Sequence, residues 1–141
     1  MSDLYDEDIL LWSERQGTLL RRIAAGEPVN ERPDWANIIE EVESVGREQL
    51  HAVESLLLQA LVHMLNAEGW PNSLSAPAWH SDALLSRAQA RLRFVPSMRQ
   101  NIDLADIFAD ALRILPATMD GRPRQPVSQT CPMTLDELLA D

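Results

Sequence analysis

No lysine occurs in this chain; all twelve basic residues are arginine. Arginine forms the better forked ion pairs, but so uniform a choice reads as coding bias of the source genome rather than as mechanism. One cysteine, Cys131, is present, which excludes an internal disulfide framework and fits a reducing compartment, the cytoplasm. Aromatic residues make up only 5% of the chain, scarce material for stacking bases of a nucleic acid. No apolar run exceeds a few residues, so no segment is expected to span a bilayer. The acidic opening MSDLYDEDILLW has no basic-then-apolar layout of a signal peptide. Positive charge is short as well. The net charge is −10, with 14 acids against 5 arginines in residues 1–69 and 8 against 7 in residues 70–141. That balance opposes general binding to nucleic acid or anionic membrane, whose affinity comes largely from neutralising phosphates.

What is present is helical periodicity. With 141 residues, 45% of them apolar, the chain fits one globular domain that needs no disulfide or metal to hold a core. Leu11, Trp12, Leu19, Leu20 and Ile23 predict a first helix from Asp3 or Leu4 to Ala25, with acids in its opening turns and Arg21 and Arg22 at its end complementing the helix dipole. Gly26, Pro28 and Pro33 stop it. Asp34 is a plausible N-cap for a second helix. There, apolar positions from Ile38 to Met64 keep the period within a helix of about 35 residues, a rod of roughly 50 Å at 1.5 Å per residue. This central helix, about 34–69, is expected to bury its aliphatic side continuously, and Gly69 and Pro71 end it. A third helix is predicted from about Ala78 to Phe94 with Trp79, Leu84, Leu85, Ala88 and Leu92 inward. A fourth runs from Ile102 to Met119, kinked or cut short by Pro116. Residues 120–133 form an extended Pro-rich segment. Thr134 then caps a short C-terminal helix, with Glu137 at the capping-box position. No strand-like alternation competes. The predicted fold is an all-α, single-domain helical bundle over residues 1–141, built around the second helix.

The chemistry-bearing residues cluster on that helix. On a wheel at about 100° per residue, Glu43 lies on one shoulder of the apolar stripe with Arg47 and Glu40 further out. His63 falls near the opposite shoulder and about 30 Å along the axis, so it cannot share a metal with Glu43 from this helix. Bundle carboxylate sites use paired Glu-x-x-His motifs; Glu48 and His51 make one such pair, and no second exists. No metal site and no cofactor are expected. Glu43 and Arg47, four residues apart, suit an intrahelical ion pair. Gly46, costly inside a helix by roughly 1 kcal/mol against alanine, is read as a place of close packing, against Trp12 or another helix backbone. The candidate polar cluster is therefore Trp12, Glu40, Glu43 and Arg47. His63 reads as a satisfied, partly buried histidine, and His80 is ambiguous. Cys131 lacks the electropositive setting of a reactive thiol. Arg87 and Arg91, four apart on the third helix, form a candidate binding face for an acidic partner or nucleic acid, or else answer the acids of the second helix. Neither a Walker loop, a dinucleotide fingerprint, a nucleophile elbow nor a paired-cysteine motif occurs.

The order of segments YDEDILLW, NIIEEVESVGREQLHAVESLLLQALVHML and CPMTLDELLAD resembles the bacterial family called domain of unknown function 29. The resemblance covers nearly the whole chain. Tyr5, Asp6, Trp12, Glu40, Glu41, Glu43, Gly46, Arg47, His63, Trp79, Cys131 and Pro132 stand at its matching places. The family's usual Lys-Trp after the histidine helix is replaced here by HMLNAEGW, and the third helix is less basic than the family pattern. The resemblance implies an all-α cytoplasmic bacterial protein and supplies no activity. The residues themselves favour a non-enzymatic interaction or assembly module, acting as a homodimer or with a protein partner, and not with membrane or nucleic acid. A small acid/base or metal-assisted enzyme using Glu43 with groups from another helix is the alternative, and docking through the third-helix arginines a third.

Overall fold

The computed structural model describes residues 3–140. Two compact units divide the chain, one ending at Arg47 and the other beginning at Glu48. The described residues are helical throughout except for connectors and one two-stranded hairpin, and a long central helix is present as the periodicity predicts.

In the first unit the single opening helix expected from the sequence is two: α1 (Leu4–Glu7) and α2 (Ile9–Ala24). Asp8 breaks them apart. Its backbone leaves the helical region at φ −150° and ψ 84°, while its carboxylate accepts from the Leu11 N–H. An aspartate there gains more from capping an orphan donor than from continuing a helix. At the other end Gly26 takes φ 79°, the left-handed geometry glycine adopts without strain. Glu27 N–H then reaches the Arg22 carbonyl and Gly26 N–H the Ile23 carbonyl, the paired bonds of a Schellman stop. Trp12 and Leu19 are the buried side chains of α2, and the Tyr5 and Trp12 rings meet edge to face with centroids 4.9 Å apart. The helix α3 (Trp35–Gly69) begins in this unit, where the Asp34 carbonyl accepts its first bond from Ile38.

In the second unit the remainder of α3 supplies Val53, Leu57, Leu61 and Leu65 to a core shared with Phe108, Ala111 and Leu138. The next helix, α4 (Ala76–Arg93), turns inward a face other than the expected one: Ala76, Ala83, Ser86 and Ala90 are buried, and Leu84, Leu85 and Leu92 are exposed. The small residues recur at i, i+7, i+10 and i+14 and let this helix approach closely, whereas the leucines lie on its far side. A 3₁₀ turn over Pro96–Asn101 follows, then α5 (Leu104–Ile114), shorter at both ends than predicted. Asp103 caps α5 through the Asp106 N–H. Pro116 ends the helix instead of kinking it, and Thr118–Met119 (β1) pairs antiparallel with Arg122–Pro123 (β2) through a turn with Asp120 and Gly121 both at positive φ. That hairpin is the exception to the absence of strands expected from the sequence.

The Pro-rich stretch is extended and pinned. The Trp70 indole donates to the Arg122 carbonyl, Gln125 bonds the Gly69 and Glu68 carbonyls, and the Glu68 carboxylate takes both the N–H and the hydroxyl of Ser128. Gly69 eases that approach, because a Cβ there would stand a tight 3.3 Å from Arg124 Cβ. The last helix, α6 (Leu135–Leu139), starts with the expected capping box of Thr134 and Glu137 and buries Leu138 completely.

Candidate interaction face

Glu40, Glu43 and Arg47 come together on the surface of α3. The Arg47 guanidinium lies 2.6 Å from Glu40 and 3.9 Å from Glu43, with all three side chains about half exposed or more. Exposed pairs of this kind contribute at most about 1 kcal/mol. Trp12 belongs elsewhere. Its indole N–H donates to Asp34 Oδ2 at 2.9 Å, so the four-residue cluster drawn from the sequence falls into two groups.

The second group is larger than Trp12 alone. The Asn37 amide donates to Asp34 Oδ2 at 2.8 Å and to Asp3 Oδ2 at 3.1 Å, Gln16 accepts from the Asp34 N–H, and the Tyr5 hydroxyl donates to Glu41 at 2.5 Å. Asp34, Asn37 and Glu41 were legible as a set in the sequence, since spacings of three and seven put them on one helical face. The Asn37 amide, then the Trp12 indole, hold the Asp34 carboxyl below its ordinary range. The bond to Glu41, helped by desolvation and by the nearby carboxylates, pushes the Tyr5 phenol up to about 12. Both effects follow from hydrogen bonds that favour one protonation state. This network fastens α1 and α2 to the polar flank of α3.

The apolar flank is thereby left open. Eighteen residues make five full turns of an α-helix, so Trp35 lies above Val53, Ile39 above Leu57 and Val42 above Ala60 on one face of α3. The lower three side chains are fully buried, while Trp35, Ile39 and Val42 are 43%, 53% and 69% exposed. The expectation of a continuously buried stripe therefore holds only from Val53 onward. Gly46 falls in the same arc, and nothing lies within 4 Å of the place its Cβ would take. Among the described residues, the close packing expected there from the sequence is absent.

Arg87 and Arg91 are engaged inside the second unit. Arg87 donates to the carbonyls of Leu138 and Glu137, Arg91 donates to that of Ala140, and Arg99 pairs with Asp136. These bonds answer α6 and its orphan C-terminal carbonyls. Among the described residues His63 Nδ1 and Asn66 Oδ1, both buried, have no hydrogen-bond partner, whereas the sequence predicted a satisfied, partly buried histidine. A cavity of about 400 Å³ in this unit is lined by Leu61, Met64, Leu65, Phe108, His80 and Glu68, and that glutamate already holds Ser128. Among the described residues no three His, Cys, Asp or Glu side chains are grouped to hold a metal ion, and no helix is long and apolar enough to cross a membrane.

The family model described as "Domain of unknown function DUF29" matches residues 4–141. This chain belongs to the DUF29 family. The match runs from the capped start of α1 through α6, so the open stripe and the network behind it both lie inside the DUF29 domain. A crystal structure of an alpha-helical protein of unknown function from Rhodospirillum rubrum is similar in fold, with a TM-score of 0.62 and 22% identity over 99% of this chain and 90% of that one. None of the curated proteins compared matches this DUF29 chain.

Proposed function

We propose that this DUF29 protein is an assembly module that associates with a second copy of itself through the first turns of α3. The supporting observation is the five-turn relation between the exposed Trp35, Ile39 and Val42 and the buried Val53, Leu57 and Ala60. One face of one helix carries core-type residues along its length, and the described residues cover only part of it. Burying an aliphatic or aromatic side chain of this size stabilises by roughly 1.5–3 kcal/mol, and three such side chains in line are the composition of a helix-pairing seam. A cytoplasmic setting, where the half-buried thiol of Cys131 stays reduced, is part of the same proposal. Enzymatic use of Glu43 has less behind it, since its ion-pair partner is an arginine on its own helix. Docking of an acidic ligand on Arg87 and Arg91 would have to compete with the carbonyls of α6. Sedimentation velocity over a concentration series tests the proposal. The expected result is a dimer that Val42→Arg converts to monomer with helix content unchanged by circular dichroism. A parent chain that stays monomeric to its solubility limit overturns it.

A further inference from the structure

The open stripe also carries its own register. Trp35, Ile39, Val42 and Gly46 follow one another at intervals of four, three and four residues, the alternation of a two-helix seam. The four run large, medium, medium, absent. We infer that two copies pair antiparallel about a twofold axis passing near Glu40 and Glu41, with Trp35 of each seated over Gly46 of the other. The inference rests on the self-association proposed above and adds the orientation and the contact.

In a twofold pair, whatever residue i meets on its partner meets i in return. Aligning Trp35 with Gly46 sets Ile39 opposite Val42, so all four layers join complementary sizes over about 16 Å of helix. A parallel, in-register pair does the reverse. It stacks Trp35 on Trp35, and it sets glycine against glycine where nothing lies within 4 Å of either Cβ position. The first crowds a layer and the second leaves a void, and both destabilise packed seams. A parallel pair would also run on into Val53 and Leu57, whose face is already filled by the core. Antiparallel pairing stops before them. Glu40 and Glu41, level with the axis, lie about 130° round the helix from the stripe, so their carboxylates point away from the seam, and each already has a donor of its own, Arg47 and Tyr5. Gly46 is thus a socket, which accounts for a glycine in a helix interior with no described neighbour within 4 Å of its Cβ position.

The test uses Cys131→Ser as background. One chain carries Trp35→Cys and another Gly46→Cys, and each is oxidised alone and mixed. The expected result is a disulfide-linked dimer in the mixture only, because like positions stand about 16 Å apart in the antiparallel pair. Since Trp35→Cys itself thins the seam, a size exchange accompanies it. Trp35→Ala and Gly46→Leu are each expected to raise the dimer dissociation constant at least tenfold, and the two together to recover most of that loss. Linked dimers of either cysteine chain alone, or singles that merely multiply in the double variant, overturn the antiparallel register while leaving self-association standing. A parent chain that sediments as a monomer overturns both.

Discussion

The Tyr5 hydroxyl stands 2.5 Å from the Glu41 carboxylate and donates to it across 36 residues of sequence. Asp3 starts α1 and also accepts from Asn37, so the beginning of the described chain is tied to α3 twice. The phenol donates only while protonated. Its pKa is therefore raised to about 12, and the sign of the linkage follows. The stabilisation is complete below the ordinary value of 10.0 and is lost as pH rises from there through about 12. Tyr5 is the chain's one tyrosine, so tyrosinate absorbance reports it without ambiguity. A folded protein is expected to ionise near 12 and a denatured one near 10. Ionisation near 10 in the folded protein removes the bond from the account.

Asp34 works in the opposite direction. The Asn37 amide and the Trp12 indole favour its carboxylate, so the folded pKa lies below the ordinary value of 3.8. That contribution is present above 3.8 and disappears as pH falls below it. Asp34→Asn is expected to lower the melting temperature at neutral pH and to flatten its fall between pH 5 and pH 2, windows set by ordinary carboxylate behaviour at about 4. A parallel acid limb in the variant and the parent would show that other carboxylates carry it. Trp12→Ala, which empties a buried site and frees Asp34, is expected to cost about 3–5 kcal/mol in urea denaturation.

The long helices, the Schellman stop that ends α2 and the Thr134 capping box were readable because each depends on residues within a turn of one another. What covers a helix was not. The periodicity of α3 marks Trp35 and Val53 as the same face, yet one is exposed and one buried, since only tertiary packing chooses which turns are covered. In α4 the leucines draw attention to the wrong side: Ala83, Ser86 and Ala90 are buried because they are small, and size complementarity leaves no hydrophobic signature. Likewise Arg87 and Arg91 share a face in the sequence, but the carbonyls they find lie some fifty residues on.

Two glycines separate open space from close approach. Gly46 is helical with no neighbour within 4 Å of a Cβ, while at Gly69 a Cβ would meet Arg124 Cβ at 3.3 Å and Val127 Cγ1 at 3.5 Å. Gly46→Ala, measured at concentrations where the protein is monomeric, is expected to add about 1 kcal/mol of stability by helix propensity alone. Gly69→Ala is expected to lose that gain to the tight contact. Equal gains at both positions in chemical denaturation would contradict the packing at Gly69.

The short α6 is held by Leu138, with Leu135 and Leu139 partly buried beside it, and by Arg87, Arg91 and Arg99. Leu138 is wholly buried, so Leu138→Ala should cost about 2–5 kcal/mol. Arg87→Ala removes donors from the Glu137 and Leu138 carbonyls and should cost about 1–2 kcal/mol. Hydrogen exchange locates the effect. Both variants are expected to open amides of α6 before those around Phe108 in α5, and uniform loss of protection would mean that α6 is not separately anchored.

Salt distinguishes an apolar seam from a phosphate-binding face. Each copy carries a net charge of −10, so two copies repel at long range. Added salt shortens the Debye length from about 10 Å at 0.1 M to about 3 Å at 1 M, which removes repulsion while leaving apolar contacts in place. Dimerisation is therefore expected to strengthen as sodium chloride is raised. Binding to an oligonucleotide through Arg87, Arg91 and their neighbours would do the opposite, because salt reverses the gain from counterion release. Sedimentation at low and high salt, repeated with Ile39→Arg, measures the first. The variant is expected to remain monomeric at both salts, since a charge on the stripe opposes burial however well it is screened. Dimerisation of the parent that weakens steadily with salt would point to a charge-driven contact and away from Trp35, Ile39 and Val42.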